Sequence, residues 1–219
     1  MEEPRVVAEK SEELGHTRFI KLYDLAYEDG AHYFVASRHD RADLRALMGT
    51  EERARALPDA VSCCLILAPD GEDPRLVLFW EYRYPTGQYV LSIPSGLVDA
   101  ADAERDEPLV AAMAREIGEE CGIALGEDDR LWVVNPLLFN SPGLTDESTA
   151  LLCAVVRQDA GHLSQAGAEG SERFDGFVLL DEEQVRRVLT EGLDPQGQPY
   201  PLVSWAAMSY FLSGAWRQV

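Results

Sequence analysis

Three glutamates, Glu116, Glu119 and Glu120, have the i, i+3, i+4 spacing that places side chains next to one another on an α-helix. Like charges at that spacing repel and weaken an isolated helix, so something should offset the repulsion. Arg115 can pair with Glu119 one turn later, but a divalent cation would neutralise the face more completely. Mg²⁺ prefers oxygen ligands and keeps waters and substrate phosphates in its other positions. The spacing therefore allows an Mg²⁺-assembling face that handles phosphate, although such a face is more often simply solvated.

The helix that must carry these glutamates is the clearest element of the sequence. Pro108 stands at its start and Gly122 at its end, the usual asymmetry of helix termini. Leu109, Met113 and Ile117 recur at i, i+4 and i+8, which predicts a buried stripe on a different face from the carboxylates.

The rest of the chain predicts a mixed α/β domain. Two strands flank the Asp29-Gly30 turn, and residues 1–15 are charged and expected to fray. Residues 98–107 read as an acidic loop, and the small polar residues 157–171 as a mobile loop. Further strands are predicted at 59–68, 75–85, 89–94, 130–139, 148–156 and 173–180, and closing helices at 181–192 and 202–212.

Composition excludes several classes of protein. The 39 acidic and 19 basic residues give a net charge of −20, which argues against nucleic acid or an anionic membrane as a partner. No apolar run approaches the ~18 residues of a membrane span, and the first 15 residues lack the apolar core of a signal peptide. The four cysteines show no CxxC spacing, which favours reduced thiols in a cytoplasmic protein.

The helix and its flanks resemble the Nudix box, G-x5-E-x7-R-E-U-x-E-E-x-G-U, in which U is an aliphatic residue. Glu107, seven further residues, and the run from Arg115 to Ile123 fit the second half of the pattern. The first half departs from it, because ten residues rather than five separate Gly96 from Glu107. We interpret the difference as a five-residue insertion in the loop ahead of the helix. The resemblance implies a Nudix α/β/α sandwich with a mixed sheet and an N-terminal β-hairpin extension.

Two flanking strings resemble the ADP-ribose pyrophosphatase branch of that superfamily. They are EYRYPTGQYVLSIPSGLVD before the box and SPGLTDE, residues 141–147, after it. The N-terminal hairpin also fits this branch, whose members carry an extra β-region that pairs across a homodimer. We therefore expect residues 1–55 to form a dimerising extension and residues 56–219 the Nudix domain.

The resemblance also implies roles for individual residues. Glu116 and Glu120 would ligate Mg²⁺ (or Mn²⁺), Glu119 would be a further or shared ligand, and the backbone carbonyl of Ser95 would complete the coordination. Glu107 would pair with Arg115 to brace the loop on the helix.

Catalysis and substrate binding would involve residues outside the metal-binding glutamates. Glu147 would activate water, with Glu119 as the alternative base. Arg83, Glu81 and Gly143 would contact the substrate. Trp80-Glu81 stands where a Glu-Gln pair often occurs in the branch, so recognition of the nucleoside side could differ.

The expected activity is Mg²⁺-dependent hydrolysis of the diphosphate linkage of a nucleoside diphosphate sugar. ADP-ribose, cleaved to AMP and ribose 5-phosphate, is the first choice. The alternatives are a Nudix pyrophosphatase for another nucleotide (an NDP-sugar, NADH or a nucleoside triphosphate) and a Nudix-fold sensor that binds a nucleotide without cleaving it.

Overall fold

The computed structural model describes residues 3–167 and 172–218, and within those ranges the chain forms ten β-strands and five α-helices. The strands are β1 (Glu12–His16), β2 (Lys21–Ala26), β3 (His32–Ser37), β4 (Ala60–Leu67), β5 (Arg75–Arg83), β6 (Gln88–Ser92), β7 (Ser95–Leu97), β8 (Arg130–Phe139), β9 (Ser148–Val156) and β10 (Phe174–Leu180). The helices are α1 (Thr50–Arg55), α2 (Ala100–Ala103), α3 (Pro108–Cys121), α4 (Glu182–Glu191) and α5 (Leu202–Ser213). Contacts along the chain define two compact units, one of Met1–Asp59 with Phe139–Ser148 and one of Ala60–Leu138 with Thr149–Val219.

The first unit contains an antiparallel sheet in the order β1-β2-β3. The predicted hairpin is confirmed, with Gly30 at φ 84° in the turn between β2 and β3. Asp29 stabilises that turn, because its Oδ1 accepts a hydrogen bond from the backbone N–H of Ala31 at 2.9 Å. Tyr23, Leu25 and other apolar side chains on one face of the sheet form a small core.

The expectation that residues 1–15 fray is wrong for the part that the structure describes. Glu12–His16 forms β1 and pairs with β2, and Ser11 Oγ accepts a hydrogen bond from the N–H of Ala26 at 3.1 Å. The side chains of β1 are all exposed, so the segment shows no alternating apolar pattern from which a strand could be read. Backbone pairing with β2 holds it in place instead.

The second unit contains a mixed sheet, as the sequence predicts. In the described ranges its order is β10-β5-β4-β9-β8, while β6 pairs with β5 and β7 with β4. Strand β4 pairs with β9 in parallel along its whole length, whereas β5 pairs antiparallel with β4, β6 and β10.

Helices cover both faces of this sheet, which makes the second unit an α/β/α sandwich. On one face, Cys64 and Ile66 of β4 share a core with apolar residues of α4 and α5. On the other face, Cys63 and Leu65 pack with residues of α3. Because both faces are covered, β4 is a continuous apolar run rather than an alternating one. All four cysteines are free and buried.

Two loops contain more structure than the sequence predicts. The acidic loop ahead of α3 includes the short helix α2, and residues 160–162 of the polar loop form a 3-10 turn. Residues 168–171, at the end of that polar loop, lie outside the described residues. Within the described ranges, none of the helices has both the length and the apolar character to cross a membrane.

Candidate active site

Helix α3 places the three glutamates because its apolar stripe is anchored against the sheet. Met113 and Ile117 are fully buried in the core beneath it. The helix begins with Pro108 at its first position and ends before Gly122 in the left-handed conformation, at φ 71°, as predicted. The carboxylate face is itself only partly solvated, since Glu116 is 8% and Glu120 4% exposed.

Arg115 connects most of the acidic groups around α3. Its Nη1 donates to Glu116 Oε1 at 2.7 Å and to Glu119 Oε2 at 2.9 Å, the second being the pairing that their spacing predicts. Its Nη2 donates to Asp102 Oδ2 at 3.0 Å and to the carbonyl of Leu97 at 3.0 Å. The guanidinium of Arg115 therefore connects α3 to β7 and α2.

The expected Glu107–Arg115 pair does not form in the structure. Glu107 is the exposed residue just before α3, whereas Asp102 is 7% exposed and lies against the guanidinium. Five residues separate Gly96 from Asp102, which is the spacing of the box between its glycine and its first acid. The insertion therefore lies between Asp102 and Arg115, and an aspartate takes the bracing position predicted for Glu107.

Strand β7 closes tightly on the carboxylate face. The backbone N–H of Ser95 donates to Glu120 Oε2 at 2.8 Å. A Cβ atom on Gly96 would lie 1.8 Å from Glu116 Oε1, so any side chain at position 96 would displace the Glu116 carboxylate from its observed place.

Burial makes ionisation of Glu116 and Glu120 unfavourable. It raises the pKa of Glu120 to about 9, against the hydrogen bond from Ser95. Burial also raises the pKa of Glu116, although the neighbouring Arg115 lowers it in part. Burial lowers the pKa of Arg115, but its hydrogen bond to Asp102 and the charge of Glu116 outweigh that effect and leave the pKa above its ordinary value. A further positive charge would stabilise the ionised glutamates.

The donor set fits a hard divalent cation in its chemistry. Carboxylate oxygens are the ligands that Mg²⁺ prefers, and two of these carboxylates are already desolvated. In residues 3–167 and 172–218, however, no three acidic, histidine or cysteine side chains converge into a ready-made metal site. Arg115 holds one oxygen of Glu116 and one of Glu119, while Ser95 holds one of Glu120.

The predicted substrate residues of β5 lie together. Arg83 Nη2 is 2.8 Å from Glu81 Oε2, and Glu81 is 8% exposed. Burial raises the pKa of Glu81, against the opposing charge of Arg83. The charge of Glu81 also raises the pKa of Glu120, so this end of β5 is electrostatically coupled to α3.

Glu172 is a further acid that acts electrostatically on the glutamates of α3 and was not predicted from the sequence. Its charge raises the pKa of Glu81, Glu116 and Glu120, which adds a further carboxylate to the group around α3. It lies between the predicted mobile loop and β10, and no local motif distinguishes it from the other acids of this acidic chain.

The remaining predicted site residues belong to the first unit. Glu147 Oε1 accepts a hydrogen bond from Arg38 Nε at 2.7 Å, and the carbonyl of Gly143 accepts one from the hydroxyl of Tyr33 at 2.9 Å. The 141–147 loop also pairs with β3, because the N–H of Ala36 donates to the carbonyl of Leu144 at 3.0 Å. The roles of Glu147 and Gly143 stay predictions.

The chain shares its fold with a solved structure. A crystal structure described as an ADP compounds hydrolase matches 100% of this chain and 96% of its own, with a TM-score of 0.59 and 18% sequence identity. The α/β/α sandwich with a mixed sheet is therefore the fold of that protein.

Curated relatives similar in sequence are named as Nudix hydrolases and as an ADP-sugar pyrophosphatase. The chain is 35% identical over 130 residues to Nudix hydrolase 14, chloroplastic, of Arabidopsis thaliana, covering 55% of this chain and 40% of that protein. It is 28% identical over 128 residues to the mouse ADP-sugar pyrophosphatase, covering 58% and 55%. The chain spans between 34% and 55% of the length of the curated relatives it matches. No family model matches the chain.

These similarities confirm the predicted resemblance to the Nudix hydrolase superfamily and to its ADP-ribose pyrophosphatase-like branch.

Proposed function

We propose that this protein hydrolyses the diphosphate linkage of a nucleoside diphosphate sugar in an Mg²⁺-dependent reaction, with ADP-ribose as the first substrate to test. The observation that carries the proposal is the carboxylate face of α3, where Glu116 and Glu120 are buried beside Arg115. Desolvated carboxylates with raised pKa values are unfavourable for folding, and they are characteristic of functional sites. The mouse relative, named an ADP-sugar pyrophosphatase, supports the choice of substrate class.

The metal-binding residues would be Glu116, Glu119 and Glu120, with the backbone carbonyl of Ser95. A bound divalent cation would neutralise charge on the diphosphate oxygens and lower the pKa of a coordinated water. Arg115 would keep Glu116 and Glu119 in place through its two Nη1 hydrogen bonds, and Asp102 would hold Arg115 in turn.

Arg83 would bind the diphosphate or a ribose hydroxyl, because a guanidinium offers paired donors that match phosphate oxygens. Glu81 lies against Arg83 and would hold its side chain in the binding orientation. Gly143 would contribute a backbone contact to the substrate.

The base that activates water would be Glu147 or Glu119, as the sequence analysis expects, and the charge that Glu172 contributes around α3 makes it a third candidate. Single Glu→Gln variants at the three positions distinguish them. The Glu→Gln variant of the base should lose the acidic limb of the kcat–pH profile, where the rate rises as the base deprotonates, whereas the variant of a positioning residue should retain it.

Purified protein assayed with Mg²⁺ tests the activity against ADP-ribose, other ADP- and UDP-sugars, NADH and diadenosine polyphosphates. We expect the highest kcat/KM with an ADP-sugar and release of AMP. If none of these compounds is hydrolysed but ADP-ribose still binds in calorimetry, the chain is a nucleotide sensor rather than an enzyme.

We further propose that the protein acts as a cytoplasmic homodimer that pairs through residues 1–55. Outer side chains of the first sheet support this, since Leu22 and Phe34 are 41% and 59% exposed. Light scattering of the full chain should give twice the 24.3 kDa chain mass, and Phe34→Ser should shift the equilibrium towards a monomer.

A further inference from the structure

The polar loop after β9 contacts the C-terminal end of α3. The N–H of Ser164 donates to the carbonyl of Cys121 at 2.9 Å, and Gln158 Nε2 donates to the carbonyl of Ala124 at 2.9 Å. The carbonyls of a last helical turn lack partners within the helix, so the Ser164 contact satisfies a group that would otherwise depend on water. We name residues 158–167 the α3 clamp.

Gly167 brings the α3 clamp directly onto the backbone of a predicted metal ligand. A Cβ atom at position 167 would lie 2.5 Å from the carbonyl oxygen of Glu119 and 3.1 Å from its Cα. Real Cβ atoms do not approach a backbone atom that closely, so any side chain there would displace either the clamp or the helix. The displaced backbone would be that of Glu119, adjacent to Glu120.

The α3 clamp is attached at a second place. Gln165 Oε1 accepts a hydrogen bond from the N–H of Gly176 in β10 at 3.2 Å. Leu163 packs against the core that contains Met113 and Ile117. The clamp is thus tied both to the sheet and to α3, so it can set where the last turn of the helix lies.

We propose that the α3 clamp positions the last turn of α3 for divalent cation binding, and that Gly167 is its positioning residue. Glu119 and Glu120 lie on the turn that the clamp contacts, whereas Glu116 is fixed separately by Arg115 and by the approach of Gly96. The inference rests on the proposed function, because it takes these glutamates to be metal ligands.

Gly167→Ala tests this, with Gly126→Ala as the matched control. The nearest atom to a Cβ on Gly126, Asp129 Oδ2, is 3.7 Å away, so that substitution adds the same methyl group without a close contact. Mn²⁺ binding to the full chain is measured by the loss of the free-ion electron paramagnetic resonance signal. We expect Gly167→Ala to weaken Mn²⁺ binding about tenfold, and Gly126→Ala to bind like the unmodified protein.

Gln165→Ala keeps the test decisive if Gly167→Ala does not fold, since it loosens the attachment to β10 without adding an atom against α3. It should also weaken Mn²⁺ binding, by a smaller factor. Unchanged Mn²⁺ affinity in the folded variants, or equal weakening by Gly126→Ala, would contradict the role of the α3 clamp but would not contradict the proposed function. If the unmodified protein binds no Mn²⁺, the metal assignment of the proposed function fails and the inference fails with it.

Discussion

The carboxylates of the two units are neutralised in different ways. In the first unit two carboxylates each pair with a basic side chain of their own: Glu147 Oε1 lies 2.7 Å from Arg38 Nε, and Asp59 Oδ1 lies 2.7 Å from His39 Nε2. In the second unit the ion pairs of Glu116 and Glu119 both run to Arg115.

The pKa values move in opposite directions as a result. Burial opposes ionisation of Asp59, but hydrogen bonds from His39 and Ser148 outweigh it and lower its pKa. Burial raises the pKa values of Glu116 and Glu120, because one shared arginine and one backbone N–H do not compensate for it. Asp59 of the first unit is therefore stabilised in its ionised form by its own partners, whereas Glu116 and Glu120 of the second unit are acids that a further cation would stabilise.

Among the variants that test this difference between the two units, Glu120→Gln should have the largest effect. We expect kcat with the best substrate of the panel to fall more than about 100-fold, because a buried ligand oxygen loses its charge. The thermal midpoint without divalent cations should not fall, since a neutral amide is less costly to bury. Glu127→Gln, an exposed acid beyond α3, is the control. Near-normal turnover of Glu120→Gln would remove Glu120 from the metal site.

Asp102→Asn should have the next largest effect, because it removes the charge that braces Arg115. We expect kcat/KM to fall about tenfold and the Mg²⁺ concentration needed for half-maximal activity to rise. Glu107→Gln, at the position first predicted for this role, should behave like the unmodified protein. The opposite ranking of these two variants would restore the pairing predicted from the sequence.

Stability without a divalent cation should decrease as the pH rises. The folded pKa of Glu120, about 9, lies above its ordinary value of 4.5, so the folded chain binds the extra proton between those values. Stability from this group is present at low pH and lost as the pH rises through the folded pKa, by roughly 1 kcal/mol per pH unit.

Urea unfolding with EDTA at pH 6, 7.5 and 9 measures this pH dependence. Glu120→Gln should flatten the dependence, and Mg²⁺ should stabilise the unmodified protein most at high pH; equal slopes for both proteins would contradict the assignment.

His39→Gln probes the first unit and should have the smallest effect. The hydrogen bond with Asp59 raises the pKa of His39 above its ordinary 6.5, so its stabilisation is fully present below that pH and lost as the pH rises through the folded pKa. We expect the variant to lose about 1 kcal/mol at pH 6 and less at pH 9, in urea unfolding. His162→Gln, an exposed histidine, is the control. A loss that does not depend on pH would mean that His39 acts through packing alone.

Much of the second unit was predictable because its signals are local. The limits of α3 follow from Pro108 and Gly122, and the limits of β8 and β9 match the runs of apolar residues. Strand β1 was not predictable, since its exposed side chains carry no periodic pattern. The acid that braces Arg115 was also assigned wrongly. The five inserted residues can be placed either before or after that acid when the motif is aligned, and only the contact to Arg115 distinguishes Asp102 from Glu107.

The sequence by itself determined the family resemblance and the set of glutamates on α3, since both depend on residue types at short spacings along one helix. The tertiary structure decided what surrounds them: the burial of Glu116 and Glu120, the approach of Gly96 and Gly167, and the charge of Glu172. These features arise between segments distant in sequence, and their energies depend on distance and desolvation, which residue order does not specify.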